Sequence, residues 1–290
     1  METTTLIDQF SSYLKQIGRS TSTIIAYKKD ISQLIEFLQN KNIFVSIEKI
    51  QTNDLMKFIE DLKFSGKFTL KTISRKINSI KTFFKYCLQE KIISIDVSSS
   101  VQHPKVESRS PRFLSPLEYR ALRDVARNNI RLYTMVEMLI QTGMTIGEIS
   151  RLQRSDVILN KSEVIIKIST FSTKSARKII LNETISPALK TYLKKVAPIP
   201  SGFLFFTKTG KSILIRNIRT AINRAFKKAG IKTATVNDIR NTFIVFQLEN
   251  GVDIHVLADY VGHQKSTTTE RYLSLIENRP TKTVKQIKSL

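Results

Sequence analysis

Residues 236–275, VNDIRNTFIVFQLENGVDIHVLADYVGHQKSTTTERYLSL, decide the fold of this chain and the chemistry expected of it. Gly251 and Gly262 divide the stretch into three predicted helices, which carry Arg240, His263 and Tyr272. A tyrosine that cleaves a phosphodiester needs a cation for the charge of the pentacoordinate phosphate, a second donor beside it and a phenol that attacks in line. Because the stretch supplies all three residue types, it predicts a phosphate-cleaving site.

The charge balance of the chain indicates a polyanionic partner. Its 290 residues include 47 Lys and Arg against 24 Asp and Glu, a formal net charge of +23. Residues 1–112 hold 18 of the basic and 11 of the acidic residues, so residues 113–290 hold 29 and 13 and are expected to make most of the phosphate contacts. A generically basic protein is the alternative, but an excess this large in a folded chain favours double-stranded DNA as the partner.

Composition also disfavours several classes of protein. The single cysteine, Cys87, excludes an intramolecular disulfide, and His103, His255 and His263 lie too far apart to form a metal site. Nine glycines form neither a Walker motif nor a dinucleotide fingerprint, so no cofactor is expected. No signal peptide and no apolar run of transmembrane length are present, which predicts a soluble protein without membrane contact, in the cytoplasm with the nucleoid or in an organellar stroma or matrix.

Residues 1–90 predict an all-α, DNA-binding domain. Apolar residues at three- and four-residue spacing indicate two helices between residues 6 and 40, separated by Gly18, and two more at 53–64 and 70–90. The last helix carries a row of basic residues, which is either a solvated face or a surface that follows a DNA backbone. The DNA-binding candidates in this row are Lys71, Arg75 and Lys76.

Residues 91–112 lose helical periodicity and gain Pro, Ser and charge, as is typical of a linker. The second predicted domain, 113–290, opens on a capping box at residues 115–118 and continues with a buried helix at 130–141. Short β-branched runs at 156–159, 164–168 and 178–181 predict a small antiparallel sheet, and Phe203 begins a further extended run. Helices follow at 184–196, 213–229, 236–250, 253–261 and 266–276, and the second of these carries the DNA-binding candidates Arg216, Arg219 and Arg224. The fold class is therefore mainly α, with an α+β second domain.

Four motifs in the chain resemble the tyrosine recombinase (phage integrase, lambda-integrase-like) family. They are PRFLSPLE at 111–118, TGMTIGEISRLQRSDV at 142–157, DIRNTF at 238–243 and LENGVDIHVLADYVGHQKSTTTERY at 248–272. The resemblance covers essentially the whole chain: the amino-terminal helices resemble the core-binding domain of the family, and residues 113–290 resemble its catalytic domain. Each motif alone is a weak signal, but the four in this order are specific.

The resemblance implies DNA strand exchange without metal or ATP, through a 3′-phosphotyrosyl intermediate. It assigns Tyr272 as the nucleophile, Arg240 as the second of two arginines at the phosphate, and His263 as the donor of the Gly-His pair. It also implies a homo- or hetero-tetramer on paired DNA sites, in which each protomer donates a carboxy-terminal segment to a neighbour. Here the candidate segment is residues 276–290.

Three positions depart from the family pattern. Thr145 stands where a phrase of the type TGLRISEL has the first arginine, and Asn237 replaces the histidine three residues before Arg240. An amide can donate a hydrogen bond but cannot carry a proton. The expected hairpin lysine is missing at Phe171 or Ser172, and Lys174 is the nearest substitute.

Two hypotheses follow from these matches and departures. The first is a working, slow or partner-assisted recombinase with a partly degenerate site, and we commit to it. The second is a DNA-binding relative that does not cut and has an architectural or regulatory role, because loss of one preorganised donor costs ~10²–10³ in rate. An unrelated basic RNA-binding protein would leave the order of the motifs unexplained.

Overall fold

The computed structural model describes residues 3–41, 46–107, 110–160, 163–170, 176–276, 284 and 286–290. The chain divides into two compact units, Met1–Ser108 and Arg109–Leu290. Among the described residues, no helix is long and apolar enough to cross a membrane.

The first unit is all-α, as the periodicity predicts. Ser20 and Thr69 cap the second and fourth helices, because their hydroxyls accept the backbone N–H groups of Thr23 and Thr72. The apolar faces meet in one core, which includes the fully buried rings of Phe10, Phe58, Phe83 and Phe84. The helices are α1 (Thr3–Gln16), α2 (Thr21–Asn40), α3 (Thr52–Phe64) and α4 (Leu70–Gln89).

A buried carboxylate organises charges between α2 and α4. Asp30 is 2% exposed and accepts hydrogen bonds from Arg75, from Lys76 at 2.8 Å and from Ser79 at 2.8 Å. Burial alone would raise the pKa of Asp30, but these hydrogen bonds outweigh it and hold the pKa below its ordinary value. Lys76 is itself only 4% exposed. The prediction that Lys76 belongs to an exposed basic row is therefore wrong, because its ammonium forms a buried ion pair with Asp30 inside the unit.

We expect Asp30→Asn to lower the free energy of unfolding by about 3–5 kcal/mol, because it leaves the Lys76 ammonium buried without its counter-charge. Urea denaturation followed by far-ultraviolet circular dichroism measures the change. The matched control is Asp8→Asn, which removes the exposed partner of Lys28 and should cost at most about 1 kcal/mol.

The same comparison has a pH dependence. The folded pKa of Asp30 lies below the ordinary value of 3.8, so the carboxylate contributes its full stability above that pH and loses it as the pH falls through the folded pKa. The difference in unfolding free energy between wild type and Asp30→Asn should therefore disappear in strong acid. Equal costs for the Asp30 and Asp8 variants at neutral pH would contradict the role of the buried cluster.

The second unit is α+β. Its sheet is antiparallel in the order β1-β2-β3, with Val157 opposite Ile166 and Val164 opposite Leu181. The predicted capping box forms at Ser115 and Glu118. The elements are α5 (Pro116–Ala126), α6 (Ile130–Thr142), α7 (Ile146–Arg151), β1 (Val157–Leu159), β2 (Val164–Ile168), β3 (Arg177–Leu181), α8 (Ser186–Lys195), α9 (Ile215–Lys228), α10 (Val236–Glu249), α11 (Ile254–Val261) and α12 (Thr267–Glu270).

One local prediction for this unit is wrong. The helix expected at 266–276 is only the four-residue α12 followed by a 3-10 turn, Leu273–Leu275. Three of the four residues of α12 are consecutive threonines, and β-branched side chains lose rotamer freedom in a helix, which favours the short form. The short extended run predicted from Phe203 forms isolated β-bridges, Gln153 with Phe203 and Phe206 with Ser212.

The turn after α6 requires glycine. Gly143 ends the helix at φ 61°, a left-handed conformation that L side chains rarely adopt, and a Cβ at this position would lie 2.5 Å from Cδ1 of Phe243. Close packing of α6 on α10 therefore depends on the absence of a side chain at Gly143. The turn carries the chain directly into Thr145.

The carboxy-terminal residues that the structure describes pack on their own unit. Gln247 and Lys288 exchange two hydrogen bonds, of 2.7 and 2.8 Å, and Gln141 and Leu290 exchange two, of 2.6 and 2.9 Å. Both glutamines are almost fully buried. The amide side chains thus satisfy backbone groups of a segment that has no regular structure of its own.

Candidate active site

The start of α10 places three polar side chains on one face. Thr235 and Asp238 form a capping box, in which the Thr235 N–H donates to the Asp238 carboxylate at 2.7 Å. Asn237, Arg240 and Asn241 then follow at i, i+3 and i+4, the spacing of neighbours on a helix surface. They face a cavity of about 490 Å³.

This cavity brings together four of the residues singled out in the sequence. Thr145, Asn237, Arg240 and Tyr272 all line it, although Thr145 and Tyr272 come from opposite ends of the unit's sequence. The other residues that matter for its chemistry are Arg112, Asn241 and Arg271. Asn237 is exposed there, and its amide is open to a ligand from solvent.

Arg240 joins the segments around the cavity. Its guanidinium donates through Nη1 to the carbonyl of Gly143 and through Nη2 to the carbonyl of Val261 at 2.8 Å. Burial lowers the pKa of Arg240 to about 10, the nearby Glu148 opposes this, and the side chain remains charged at neutral pH. The arginine therefore fixes the turns before Thr145 and before Gly262 while it supplies positive charge.

The hydroxyl of Tyr272 has a defined partner. Tyr272 is 6% exposed and donates to Oδ1 of Asn241 at 2.8 Å. Asn241 in turn donates through Nδ2 to the carbonyl of Arg112 at 2.7 Å. Burial raises the pKa of Tyr272, and the charges of Arg271 and Arg240 oppose the rise. The phenol is therefore protonated at neutral pH and oriented by an amide that cannot accept its proton.

Thr145 lines the cavity and also has a structural role. It caps α7: its hydroxyl accepts the N–H of Glu148 at 3.3 Å, and its own N–H donates to the Glu148 carboxylate at 2.8 Å. The other carboxylate oxygen of Glu148 accepts from Arg177 of β3 at 2.9 Å. A buried ion pair, Arg177 with Glu148, thus supports the cap formed by Thr145.

His263 lines a separate cavity of about 230 Å³. Gly262 ends α11 at φ 73°, and the His263 N–H donates to the carbonyl of Ala258 at 2.8 Å, as in a helix-terminating turn. The ring Nδ1 of His263 is 2.8 Å from the hydroxyl of Thr269. The structure therefore does not place His263 on the wall of the Tyr272 cavity, although both residues belong to the stretch 236–275.

The remaining candidates differ in what the structure says of them. Arg216, Arg219 and Arg224 are exposed on α9, opposite a buried apolar face that includes Ile218 and Ile222. In the first unit Lys71 is exposed, whereas Arg75 is tied to Asp30. Lys174, with Phe171 and Ser172, lies outside the described residues. Among the described residues, no group of three or more His, Cys, Asp or Glu is placed to hold a metal ion.

Sequence reasoning missed Asn241, Arg112 and Arg271. Asn241 follows Arg240 directly and is four residues after Asn237, so its helical spacing was a usable signal. Arg271 precedes Tyr272, but position i−1 does not show which way a side chain extends in a short helix. Arg112 is 160 residues from Tyr272 in the chain, and nothing local indicates that the two share a cavity.

Comparison with known families and proteins gives consistent matches. The family described as "Phage integrase family" matches residues 112–279, and "Phage integrase, N-terminal SAM-like domain" matches residues 7–91. Tyrosine recombinase XerD of Oceanobacillus iheyensis is 28% identical over 285 residues, with 94% of each chain covered. Tyrosine recombinase XerD of Staphylococcus epidermidis is 30% identical over 280 residues, with 92% of this chain and 93% of that protein covered.

Solved structures agree with these matches. XerA recombinase is similar with a TM-score of 0.52 at 27% identity, and 93% of each chain is covered. A lambda integrase(75–356) dimer bound to a COC′ core site has a TM-score of 0.74 at 15% identity, with 99% of this chain and 100% of that chain covered, which shows a shared fold. Because the family match alone spans more than half of the sequence, the chain belongs to the phage integrase family.

Proposed function

We propose that this chain is a site-specific DNA recombinase that cuts and rejoins DNA through a 3′-phosphotyrosyl intermediate on Tyr272. The observation that carries the proposal is the cavity that Tyr272, Arg240, Thr145 and Asn237 line together. Relatives named tyrosine recombinases, similar over nearly the whole chain, support it. Double-stranded DNA is the substrate, and the cytoplasm, on the nucleoid, is the proposed location.

The proposed reaction is a transesterification. The Tyr272 oxygen attacks phosphorus and passes its proton to solvent water, a Tyr–O–P bond forms, and the bond from phosphorus to the 5′ oxygen breaks. The leaving oxygen takes up a proton and becomes a free 5′-hydroxyl, which later reverses the step on a partner strand. Arg240 stabilises the charge on the non-bridging oxygens, and Asn241 orients the phenol before attack. His263 as a supporting donor and Lys174 as the acid for the leaving oxygen remain predictions.

We further propose an assembly of four protomers, of one or two kinds, on paired DNA sites. A lambda integrase tetramer bound to a Holliday junction, similar in fold with a TM-score of 0.71, supports this arrangement. The exposed arginines of α9 are the proposed phosphate contacts of the second unit.

A non-cutting, architectural relative is the second candidate. Two observations favour it: the Thr145 hydroxyl is occupied as a helix cap, and the Tyr272 phenol is buried and hydrogen-bonded. Neither excludes cutting. After DNA binds, the phenol needs only to release its hydrogen bond to Asn241 and to approach the phosphorus. The two candidates differ in one measurable species, the covalent adduct.

The adduct provides the first test. The target site is recovered by selection from random duplexes that the full chain binds, and a nicked suicide duplex with that site is incubated with the protein. We expect a covalent protein–DNA adduct on denaturing electrophoresis, lost in Tyr272→Phe because no oxygen remains to attack. Tyr13→Phe, which removes a phenol of the first unit, is the matched control and should form the adduct normally.

Two outcomes of this assay would contradict the proposed function. If wild type binds the site and forms no adduct, while the double variant Thr145→Arg, Asn237→His forms one, the chain is the non-cutting relative. An adduct that persists in Tyr272→Phe would contradict the assignment of the nucleophile.

Thr145→Arg tests the degenerate position. We expect faster adduct formation, by up to ~10²–10³, because an arginine there adds a donor for the charged transition state. The variant also loses the cap of α7, which should cost about 1 kcal/mol in unfolding free energy. Thr145→Ala is the control: it should lose the same stability without any gain in rate, and an equal gain in both variants would contradict the role of the charge.

Asn241→Ala tests the orientation of the phenol. The Tyr272 hydroxyl loses its acceptor, so we expect the cleavage rate at saturating DNA to fall by about 10²-fold while DNA affinity stays unchanged. Asn250→Ala, at the other end of the same helix, is the matched control. An unchanged cleavage rate in Asn241→Ala would show that the hydrogen bond does not position the nucleophile.

A further inference from the structure

The proposed reaction needs more positive charge than Arg240 alone. Thr145 stands where the family resemblance expects an arginine, and its side chain is committed to the cap of α7. A bidentate arginine contributes both charge and a planar pair of donors to a phosphate, and a threonine contributes neither. The cavity around Tyr272 contains two other arginines, Arg112 and Arg271, that could supply what is missing.

Arg112 has little charge to offer. Its Nη2 donates to the Glu118 carboxylate at 2.6 Å, and its Nη1 is buried 3.9 Å from the Asp238 carboxylate. Two carboxylates therefore compensate most of the charge of this guanidinium, although its Nη1 makes no hydrogen bond within the part of the chain that the structure describes. Its backbone carbonyl also accepts from Asn241, so the residue is held in place as part of the wall.

Arg271 differs from Arg112 in each respect. It is exposed, and none of the hydrogen bonds or ion pairs found among the described residues involves its side chain. Its guanidinium carbon lies 5.3 Å from the centre of the Tyr272 ring, in the range of a cation–π contact. The donors of Arg271 are therefore available to a ligand beside the nucleophile.

The electrostatics of Tyr272 agree with this geometry. Among the charges that oppose the burial-raised pKa of Tyr272, Arg271 has the largest effect, ahead of Arg240. A charge that stabilises the phenolate also stabilises the anionic phosphate that the phenolate oxygen attacks, because the two lie within bonding distance in the transition state.

We propose that Arg271 is a further catalytic residue, which binds the non-bridging oxygens of the scissile phosphate and supplies the positive charge absent at Thr145. Arg271 acts by charge and hydrogen bonding while the Tyr–O–P bond forms and the bond to the 5′ oxygen breaks. This inference rests on the proposed function.

The test compares two suicide duplexes with the selected target site. One has a normal phosphodiester at the scissile position, and the other has a methylphosphonate, in which a methyl group replaces one charged oxygen and removes the negative charge. Arg271→Gln is measured with the full chain at saturating DNA. Lys265→Gln is the matched control, because it removes one exposed positive charge between His263 and α12, outside the Tyr272 cavity.

We expect Arg271→Gln to slow adduct formation on the phosphodiester by ~10²–10³, whereas Lys265→Gln leaves it unchanged. On the methylphosphonate, Arg271→Gln should approach the wild-type rate, because less charge needs to be stabilised. A purely structural role of Arg271 would instead slow both substrates equally, and that result would overturn the inference.

Two further outcomes would also overturn it. Arg271→Gln that cleaves the phosphodiester like Lys265→Gln would exclude a role at the scissile phosphate. A variant that loses only DNA affinity, with a normal rate at saturating DNA, would identify a contact to another backbone phosphate. In both cases wild type still forms the Tyr272 adduct, so the proposed function stands. A wild-type protein that binds its site and forms no adduct would instead contradict the proposed function itself.

Discussion

The hydrogen bonds from Arg240 to two backbone carbonyls are the interaction on which the rest of the site depends. They connect α10 to the turn at Gly143 and to the end of α11 at Val261. These two turns lead into Thr145 and His263, so one side chain sets the position of both motifs. The same guanidinium is charged at neutral pH despite its partial burial. Structural and electrostatic roles therefore coincide in Arg240.

Tyr272 is held by a second chain of contacts. The Tyr272 hydroxyl donates to Asn241, and Asn241 donates to the backbone of Arg112, at the entrance to the second unit. Arg112 in turn contacts the capping box of α5 through Glu118. Tyr272 is thus connected through Asn241 to the segment that leads into α5. Its phenol is protonated, and the hydrogen bond to Asn241 orients it. Thr145 contributes a helix cap at the point where the family resemblance expects charge.

Much of the fold was predictable because its causes are local. Helix periodicity, serine and threonine caps, and the glycines that end α6 and α11 all act within a few residues. The three strands were predicted from β-branched runs, and the sheet has the expected antiparallel order. The last helix was predicted too long, because the apolar spacing around Tyr272 fits one continuous helix as well as it fits the observed α12 and the 3-10 turn after it. Lys76 was misplaced because a row of basic residues on a helix does not reveal a buried carboxylate on its neighbour.

The sequence by itself determined the family, the helical framework and the residue types of the site, because motifs and periodicities are properties of adjacent residues. Only the tertiary structure decided which of these residues share a cavity. Arg240 contacts the carbonyl of a residue 97 positions away, and Asn241 contacts one 129 positions away. Such contacts depend on how α6, α10 and the segment before α5 pack, not on any local pattern. For the same reason His263 lines another cavity, while Arg271 lies beside the ring of Tyr272.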